Sequence, residues 1–202
     1  RDEDFIEYIY PASMHNTMLF FTSKGKCYWL KVYDIPEGSK NSKGRAIQNI
    51  LNISTDDKVK AYVTVNNITE EEYIQNHYVV LCTENGIIKK TTLEAYSRPR
   101  QNGIIALSIR EGDSLLQACL TDGNCEILMG IQSGKAIRFP ESKFRAMGRT
   151  ASGVKGITVP EGEKVVGLIC VPADTKKEIL VVSENGYGKR SKVDDYRVTN
   201  RG

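Results

Sequence analysis

The chain has 202 residues, of which 40% are hydrophobic and 26% charged, and its formal net charge is +3. This composition is ordinary for a folded domain with a substantial core, and no apolar run reaches the length that spans a bilayer. We therefore expect one cytoplasmic domain over residues 1–202 with no membrane contact. Because the net charge is small, the placement of the cations must decide whether an anionic partner is indicated.

The chain begins with an acidic turn and an apolar run, DEDFIEYIYP at 2–11, which predicts a turn and a strand of an incomplete first unit. Four β-rich runs interrupted by a glycine turn follow at 18–32, 78–93, 126–139 and 178–193. Their turn glycines are Gly25, Gly86, Gly134 and Gly186. Glycine adopts the positive φ that a tight turn between strands requires, so each run is predicted to form a β-hairpin.

Two other segments recur between the hairpins. Polar loops that contain glycine and open into a predicted strand lie at 41–51, 100–109 and 150–159. Acidic turns followed by apolar runs lie at 55–65, 111–121 and 161–171. With no helical stripe, this repeat predicts an all-β, propeller-like array of about four blades of short antiparallel strands. The acidic segment 66–77 interrupts the repeat, and we interpret it as an exposed loop.

Cations also recur with the repeat. The fourth residue after each turn glycine is Trp29, Lys90, Arg138 and Arg190 in turn. In a radial array such positions lie on equivalent parts of successive blades, so the cations would form a basic track along one rim, away from the acidic turns. A track of this kind suits a phosphate backbone, whereas the alternative is that these residues only guard solvent faces and edge strands. The candidate DNA-binding residues are Lys40, Lys43, Arg45, Lys89, Lys90, Arg98, Arg100, Lys135, Arg138, Lys143, Arg145, Arg149, Lys155, Lys189, Arg190, Lys192, Arg197 and Arg201.

Residues for other chemistry are scarce. His15 and His77 lie in different units and belong to no triad or metal motif. Five cysteines form no C-x-x-C pair, and no glycine loop opens into a predicted helix as a phosphate loop would. We therefore predict no catalytic residues, no metal and no cofactor.

Four segments, 19–51, 84–91, 144–157 and 184–202, closely resemble the C-terminal domain of the DNA gyrase A subunit. They include LFFTSKGKCYWLKVYDIPEGSKNSKGRAIQNIL, ENGIIKKT and FRAMGRTASGVKGI. The resemblance implies a β-pinwheel, in which adjacent four-stranded blades exchange strands and double-stranded DNA bends around the basic outer edge. It also implies a non-catalytic module that assists negative supercoiling by an ATP-dependent type IIA topoisomerase. The implied protein partners are the rest of the gyrase A subunit and the gyrase B subunit, in an A2B2 enzyme.

The sequence departs from that family at one motif. No full copy of the gyrase box, Q-R-R-G-G-K-G, is present, and YRVTNRG at 196–202 resembles only the start of such a loop. Two alternatives therefore stay open. One is the equivalent domain of topoisomerase IV, which would bind DNA without supporting the same supercoiling, and the other is a propeller-like protein-interaction scaffold.

Overall fold

A computed structural model describes residues 5–202 of the chain. Residues 2–4 of the predicted first turn lie outside the described residues. The rest of that segment, residues 5–11, forms no strand, so the strand predicted there is wrong. Its tyrosines instead pack on the first sheet, because the ring centroids of Tyr8 and Tyr10 lie 5.8 and 5.0 Å from that of Tyr62.

Short strands make up most of the described chain. They are β1 (Thr17–Thr22), β2 (Lys26–Lys31), β3 (Val59–Val65), β4 (Tyr78–Thr83), β5 (Ile87–Thr92), β6 (Ile104–Ile105), β7 (Leu115–Thr121), β8 (Cys125–Ile131), β9 (Ala136–Pro140), β10 (Val154–Lys155), β11 (Val165–Pro172), β12 (Glu178–Val182) and β13 (Gly188–Lys192). Within residues 5–202 the single α-helix is α1 (Glu71–Asn76). No helix in this range is long and apolar enough to cross a membrane.

The strands form four antiparallel sheets, in the orders β3-β1-β2-β6, β10-β5-β4-β7, β11-β8-β9 and β12-β13. The prediction of an all-β array with about four blades is therefore confirmed, as are the four hairpins. All four turn glycines have the expected positive φ, between +81° and +91°. The three acidic turns lead into β3, β7 and β11, and each of these strands pairs with the first strand of the preceding hairpin.

Adjacent sheets exchange strands. β6 follows the second hairpin along the chain but pairs with β2 of the first sheet. β10 follows the third hairpin but pairs with β5 of the second sheet. The same step recurs after the fourth hairpin, where Val198 forms a parallel bridge with Arg138 of the third sheet. Each of the first three sheets is thus joined by a segment that has already passed through the next sheet.

The core lies between the stacked faces of the sheets. On β4, Val79 and Leu81 pack in the cluster that the second sheet shares with the first. Val80 and Cys82, on the opposite face of the same strand, pack in the cluster shared with the third sheet. Because side chains alternate between the faces of a strand, burial of both faces explains the uninterrupted apolar run YVVLC.

Two predicted segments fold differently from expectation. Segment 66–77 is more than an exposed loop, because it contains α1, whose Ile74 is buried in the core between the first two sheets. Segment 41–51 opens into no strand and instead forms a 3₁₀ turn at Ile47–Asn49. Leu51, at its end, covers the outer face of the first sheet beside Met18 and Phe20.

Two alanine substitutions separate the backbone strain of a turn from the close packing of an exchanged strand. Gly86 (φ +91°) and Gly134 (φ +88°) have nearly the same conformation, but an added Cβ would lie 2.5 Å from the Ile157 carbonyl oxygen at Gly86 and would meet nothing within 4 Å at Gly134. We expect Gly134→Ala to lower the free energy of unfolding by about 1 kcal/mol through the positive φ alone. Gly86→Ala should cost about 1–2 kcal/mol more, because the returning strand must move. Urea unfolding measures both, and equal losses would contradict the close approach.

Candidate nucleic-acid interface

The acidic turns lie at one end of the sheets, next to the hairpin turns. Asp57 accepts hydrogen bonds from the Ser23 hydroxyl at 2.8 Å and the Lys24 backbone N–H at 3.1 Å. In the second sheet, Asp113 makes the equivalent backbone contact and accepts from the Asn85 backbone N–H at 3.0 Å. We call this end of each sheet the tip end. Its carboxylates stabilise the hairpin turns, and a phosphate backbone would be repelled from it.

The opposite end of each hairpin, the base end, is where the exchange loops leave. In the first two hairpins, Val32 and Leu93 follow the second strand, and Asn16 and His77 precede the first strand. The backbone N–H of Val32 donates to the Asn16 backbone carbonyl oxygen at 3.0 Å, and that of Leu93 donates to the His77 backbone carbonyl oxygen at 2.9 Å. A 3₁₀ turn at this point starts each loop. We call the exposed predicted cations of these turns and loops the base-end cations: Lys40, Lys43, Arg45, Arg98, Arg100, Lys143, Arg145 and Arg197.

The base-end cations are free of carboxylate partners within residues 5–202, where no ion pair of 4.0 Å or less involves any of them. Arg145 and Arg197 each directly follow the aromatic residue, Phe144 or Tyr196, that ends the 3₁₀ turn. The repeat therefore delivers these two arginines to equivalent places on successive loops.

Other predicted cations are exposed but lie on strands or near the tip end. Lys135 directly follows a turn glycine and Lys155 pairs with Ile87, so both lie toward the tip end. Lys189, Arg190 and Lys192 lie on β13 of the last sheet. Arg190 is also occupied, with its Nε 2.6 Å from a carboxylate oxygen of Glu178. The structure thus brings together only part of the predicted set.

Three predicted DNA contacts are buried, and for these the prediction is corrected. Lys89 is fully buried, and its Nζ donates to the carbonyl oxygens of Ala106, Gly148 and Arg149 at 2.5, 3.1 and 2.6 Å. These carbonyls belong to two successive exchange loops. Because the ammonium already meets three acceptors inside the protein, a phosphate could reach it only if the loops opened.

Lys90 and Arg138, the other two, connect one sheet to the next. Lys90 Nζ lies 3.2 Å from the carbonyl oxygen and 3.4 Å from a carboxylate oxygen of Glu141, on the following unit. Arg138 binds Glu126 of its own sheet at 2.5 Å and donates to the carbonyl oxygen of Val193, on the following unit, at 3.0 Å. Its hydrogen bond to Glu126 raises the pKa of Arg138 above its usual value. These two side chains join blades and are not available to DNA.

Arg149 and Arg201 are half-buried and make a third repeated contact. Arg149 Nη1 donates to the carbonyl oxygen of Ile105 at 2.9 Å, and Arg201 Nη1 donates to that of Lys155 at 2.6 Å. Both arginines lie on a returning loop and bind the loop of the preceding unit.

One sequence signal indicates some of these structural roles. Glu126 and Glu178 precede Arg138 and Arg190 by the same spacing, which is typical of a repeated ion pair.

Four antiparallel sheets, of which the first three are each joined by a segment from the following unit, define a propeller-type repeat domain. The family model described as "DNA gyrase C-terminal domain, beta-propeller" matches residues 16–66, 77–118, 126–172 and 177–202. The chain belongs to this family, and the resemblance inferred from its motifs is confirmed.

Similar proteins agree with this assignment. The chain is 44% identical over 201 residues to the DNA gyrase A subunit of Staphylococcus aureus strain NCTC 8325 / PS 47. That match covers 100% of this chain and 22% of the relative, so the chain spans under a quarter of that protein's length. A solved C-terminal domain of DNA topoisomerase IV aligns with a TM-score of 0.79 and 27% identity, covering 93% of this chain and 57% of that one. A solved DNA gyrase A C-terminal domain has a TM-score of 0.78 at 22% identity, covers 95% of this chain and 59% of that one, and supports the fold alone.

Equivalent ion pairs at Arg138 and Arg190 allow a matched test of the structural role. We expect Arg138→Met to lower the free energy of unfolding by about 3 kcal/mol, because it leaves the Glu126 carboxylate without its partner in a mostly buried place. Arg190→Met should cost less than about 1 kcal/mol, because the pair with Glu178 is exposed. Urea unfolding of both variants measures the difference, and a similar loss in both would contradict the inter-blade role of Arg138.

Lys89 gives a pH prediction. Its carbonyl partners favour the charged ammonium, but burial, followed by the nearby Arg149 guanidinium, lowers the pKa of Lys89 to about 7. In the unfolded chain the amine stays charged up to about pH 10.4. Between these values the unfolded state binds more protons, so the Lys89 contribution makes the free energy of unfolding rise with pH from about 7.

The check is urea unfolding at several pH values for the unaltered protein and for Lys89→Met, with the exposed Lys143→Met as the control. Above pH 7 the free energy of unfolding of the unaltered protein should rise relative to that of Lys89→Met. The free energy of unfolding of Lys143→Met should change with pH as that of the unaltered protein does. A difference that does not change with pH would refute the lowered pKa.

Proposed function

We propose that this domain binds double-stranded DNA along the base-end cations and bends it, as a non-catalytic wrapping module of a gyrase-type enzyme. One observation carries the proposal: exposed cations without carboxylate partners recur on the successive loops that begin at the end of the sheets opposite the acidic turns. A phosphate backbone following the base end would meet a cation at each loop and avoid the carboxylates of the tip end.

The chemistry of the loops favours binding without base specificity. Lysine and arginine side chains on exposed loops neutralise phosphates and release counterions, a contribution that does not depend on sequence. Bending 20–30 base pairs by 40–90° costs about 1–6 kcal/mol, so several contacts spaced along the arc are needed to offset it. Recurring loops supply this spacing.

The role within a larger enzyme is part of the same proposal. Because the chain matches 22% of the length of a gyrase A subunit, the rest of that polypeptide and the gyrase B subunit are the proposed partners for strand cleavage and ATP hydrolysis. The domain would present a bent DNA segment to them and so favour negative supercoiling. No residue of this chain is assigned a catalytic step.

A second candidate is a topoisomerase IV type of module, which the 27% identity and the TM-score of 0.79 to that solved domain favour. A topology experiment separates the two. A plasmid is relaxed and religated with the domain present, and the shift in linking number is measured. A gyrase-type wrap gives a shift of one hand that grows with protein concentration, whereas binding with no shift supports the topoisomerase IV type.

The main prediction concerns salt. We expect the affinity for a random-sequence duplex to fall with a log–log slope of about −0.9 per phosphate neutralised. Arg145→Gln and Arg197→Gln together should make that slope shallower by about 2, because each substitution removes one phosphate contact. Binding should weaken equally on unrelated sequences. Fluorescence anisotropy across a salt series gives both the affinity and the slope.

A lysine pair provides the control for total charge. Lys143→Gln removes a base-end cation, and Lys58→Gln removes an exposed lysine of an acidic turn at the tip end. We expect Lys143→Gln to reduce the slope and Lys58→Gln to leave it unchanged. Equal effects of the two changes, or salt-independent binding, would refute the proposed path.

A further inference from the structure

The junction between the first two sheets lacks contacts that close the later ones. In the second and third sheets, the backbone N–H of Met147 donates to the Lys90 carbonyl oxygen at 2.7 Å, and that of Thr199 donates to the Arg138 carbonyl oxygen at 2.8 Å. Counted from the preceding 3₁₀ turn, Pro99 stands in the place of Met147 and Thr199. Proline has no N–H, so the loop cannot donate to the equivalent carbonyl on β2.

The side-chain contact is missing from the same junction. At the repeat position of Lys90 and Arg138 the first sheet has Trp29, which carries no charge to bind the next unit. The Trp29 indole Nε1 is buried and has no hydrogen-bond partner within residues 5–202. A buried N–H without an acceptor is rare in folded proteins, so this junction is less completely bonded than the later ones.

A cavity of about 380 Å³ lies at this place. Its walls come from β2, from the segment 48–52 and from the loop 99–101, and they include Trp29, Gln48, Asn49, Arg100 and Gln101. Its volume is within the range of small-molecule sites. We call it the Trp29 cavity.

The polar groups of the Trp29 cavity are available to a ligand. The Asn52 side-chain amide donates to the Asn102 side-chain oxygen at 3.1 Å, and the Asn52 backbone carbonyl oxygen accepts from the Tyr28 hydroxyl at 3.2 Å. The side chains of Gln48, Asn49 and Gln101, in contrast, make no hydrogen bond within the described range 5–202 and are exposed to the cavity mouth. Arg100 also has no ion-pair partner there.

We propose that the Trp29 cavity is a nucleotide site, with the base against the side-chain amides of Gln48, Asn49 and Gln101 and the phosphate on Arg100. Glutamine and asparagine amides offer the paired donor and acceptor that the edge of a base requires. A guanidinium binds phosphate through two parallel hydrogen bonds. Two ligands have this chemistry, a free nucleotide and an unpaired nucleotide of bound DNA. Both present a planar ring with hydrogen-bonding groups that is joined to a phosphate anion.

Fluorescence tests this proposal directly, because Trp29 is the single tryptophan of the chain. The intact protein is titrated with AMP, GMP, CMP and UMP separately, and with ribose 5-phosphate and inorganic phosphate at equal ionic strength. Free tryptophan amide corrects for absorption by the bases, and calorimetry confirms the stoichiometry. We expect a saturable change with at least one nucleotide at one site per chain, and binding at least tenfold weaker for ribose 5-phosphate and phosphate.

Oligonucleotides identify the source. A fully paired duplex is compared with the same duplex carrying one unpaired nucleotide. If free nucleotides give a saturable fluorescence change, the ligand is a free nucleotide. If only the duplex with the unpaired nucleotide gives the change, the ligand is a base of bound DNA. A response to the paired duplex alone would report DNA at the neighbouring base-end cations and would overturn the cavity assignment.

Substitutions complete the test. Arg100→Ala and Gln101→Ala change exposed side chains, and each should weaken nucleotide binding about fivefold or more. Lys58→Ala, which removes an exposed cation at the tip end and outside the cavity, should leave nucleotide binding unchanged.

No saturable response to any nucleotide form, or equal affinity in Arg100→Ala and Lys58→Ala, would overturn the proposal. The free-nucleotide measurement does not depend on the proposed DNA wrapping. Loss of salt-dependent duplex binding would count against wrapping alone.

Discussion

Backbone hydrogen bonds from the first two returning loops to the preceding hairpin turn hold the first three sheets together. Ala106 N–H donates to the Gly25 carbonyl oxygen at 2.8 Å, and Gly156 N–H donates to the Gly86 carbonyl oxygen at 2.8 Å. Separating two sheets would break these bonds as well as expose the core between them. The side chains of Lys89, Lys90 and Arg138 add contacts across the same junctions, so the spacing of the exchange loops, and of their exposed cations, follows from this exchange.

Local signals in the sequence predict the hairpins and the acidic turns, because glycine and aspartate act on the residues next to them. The exchange of strands is not visible in the same way, since β6 looks like any short apolar segment and its pairing with β2 is set by distant residues. The repeat therefore predicts the fold class, whereas the exchange of strands between adjacent blades is implied only by the family resemblance.

The predicted cations show a different limit. A lysine that faces phosphate and one that binds three buried carbonyl oxygens, as Lys89 does, have the same charge and the same place in the repeat. Only the position of the acceptors separates them, and these lie on the following loop and on the loop of the next unit. Likewise, the apolar side of α1 is one buried residue, Ile74, which is too little to give a helical pattern.

Strand exchange puts the structural unit out of phase with the sequence unit. A hairpin and its acidic turn are continuous in the chain, but the segment that joins their sheet comes from the following unit, as Val198 does for the third sheet. A domain boundary drawn between two sequence repeats would therefore remove part of the last sheet and leave its outer backbone unpaired. Duplication or transfer of one blade requires a segment that extends through the next exchange loop, so neighbouring blades are inherited together.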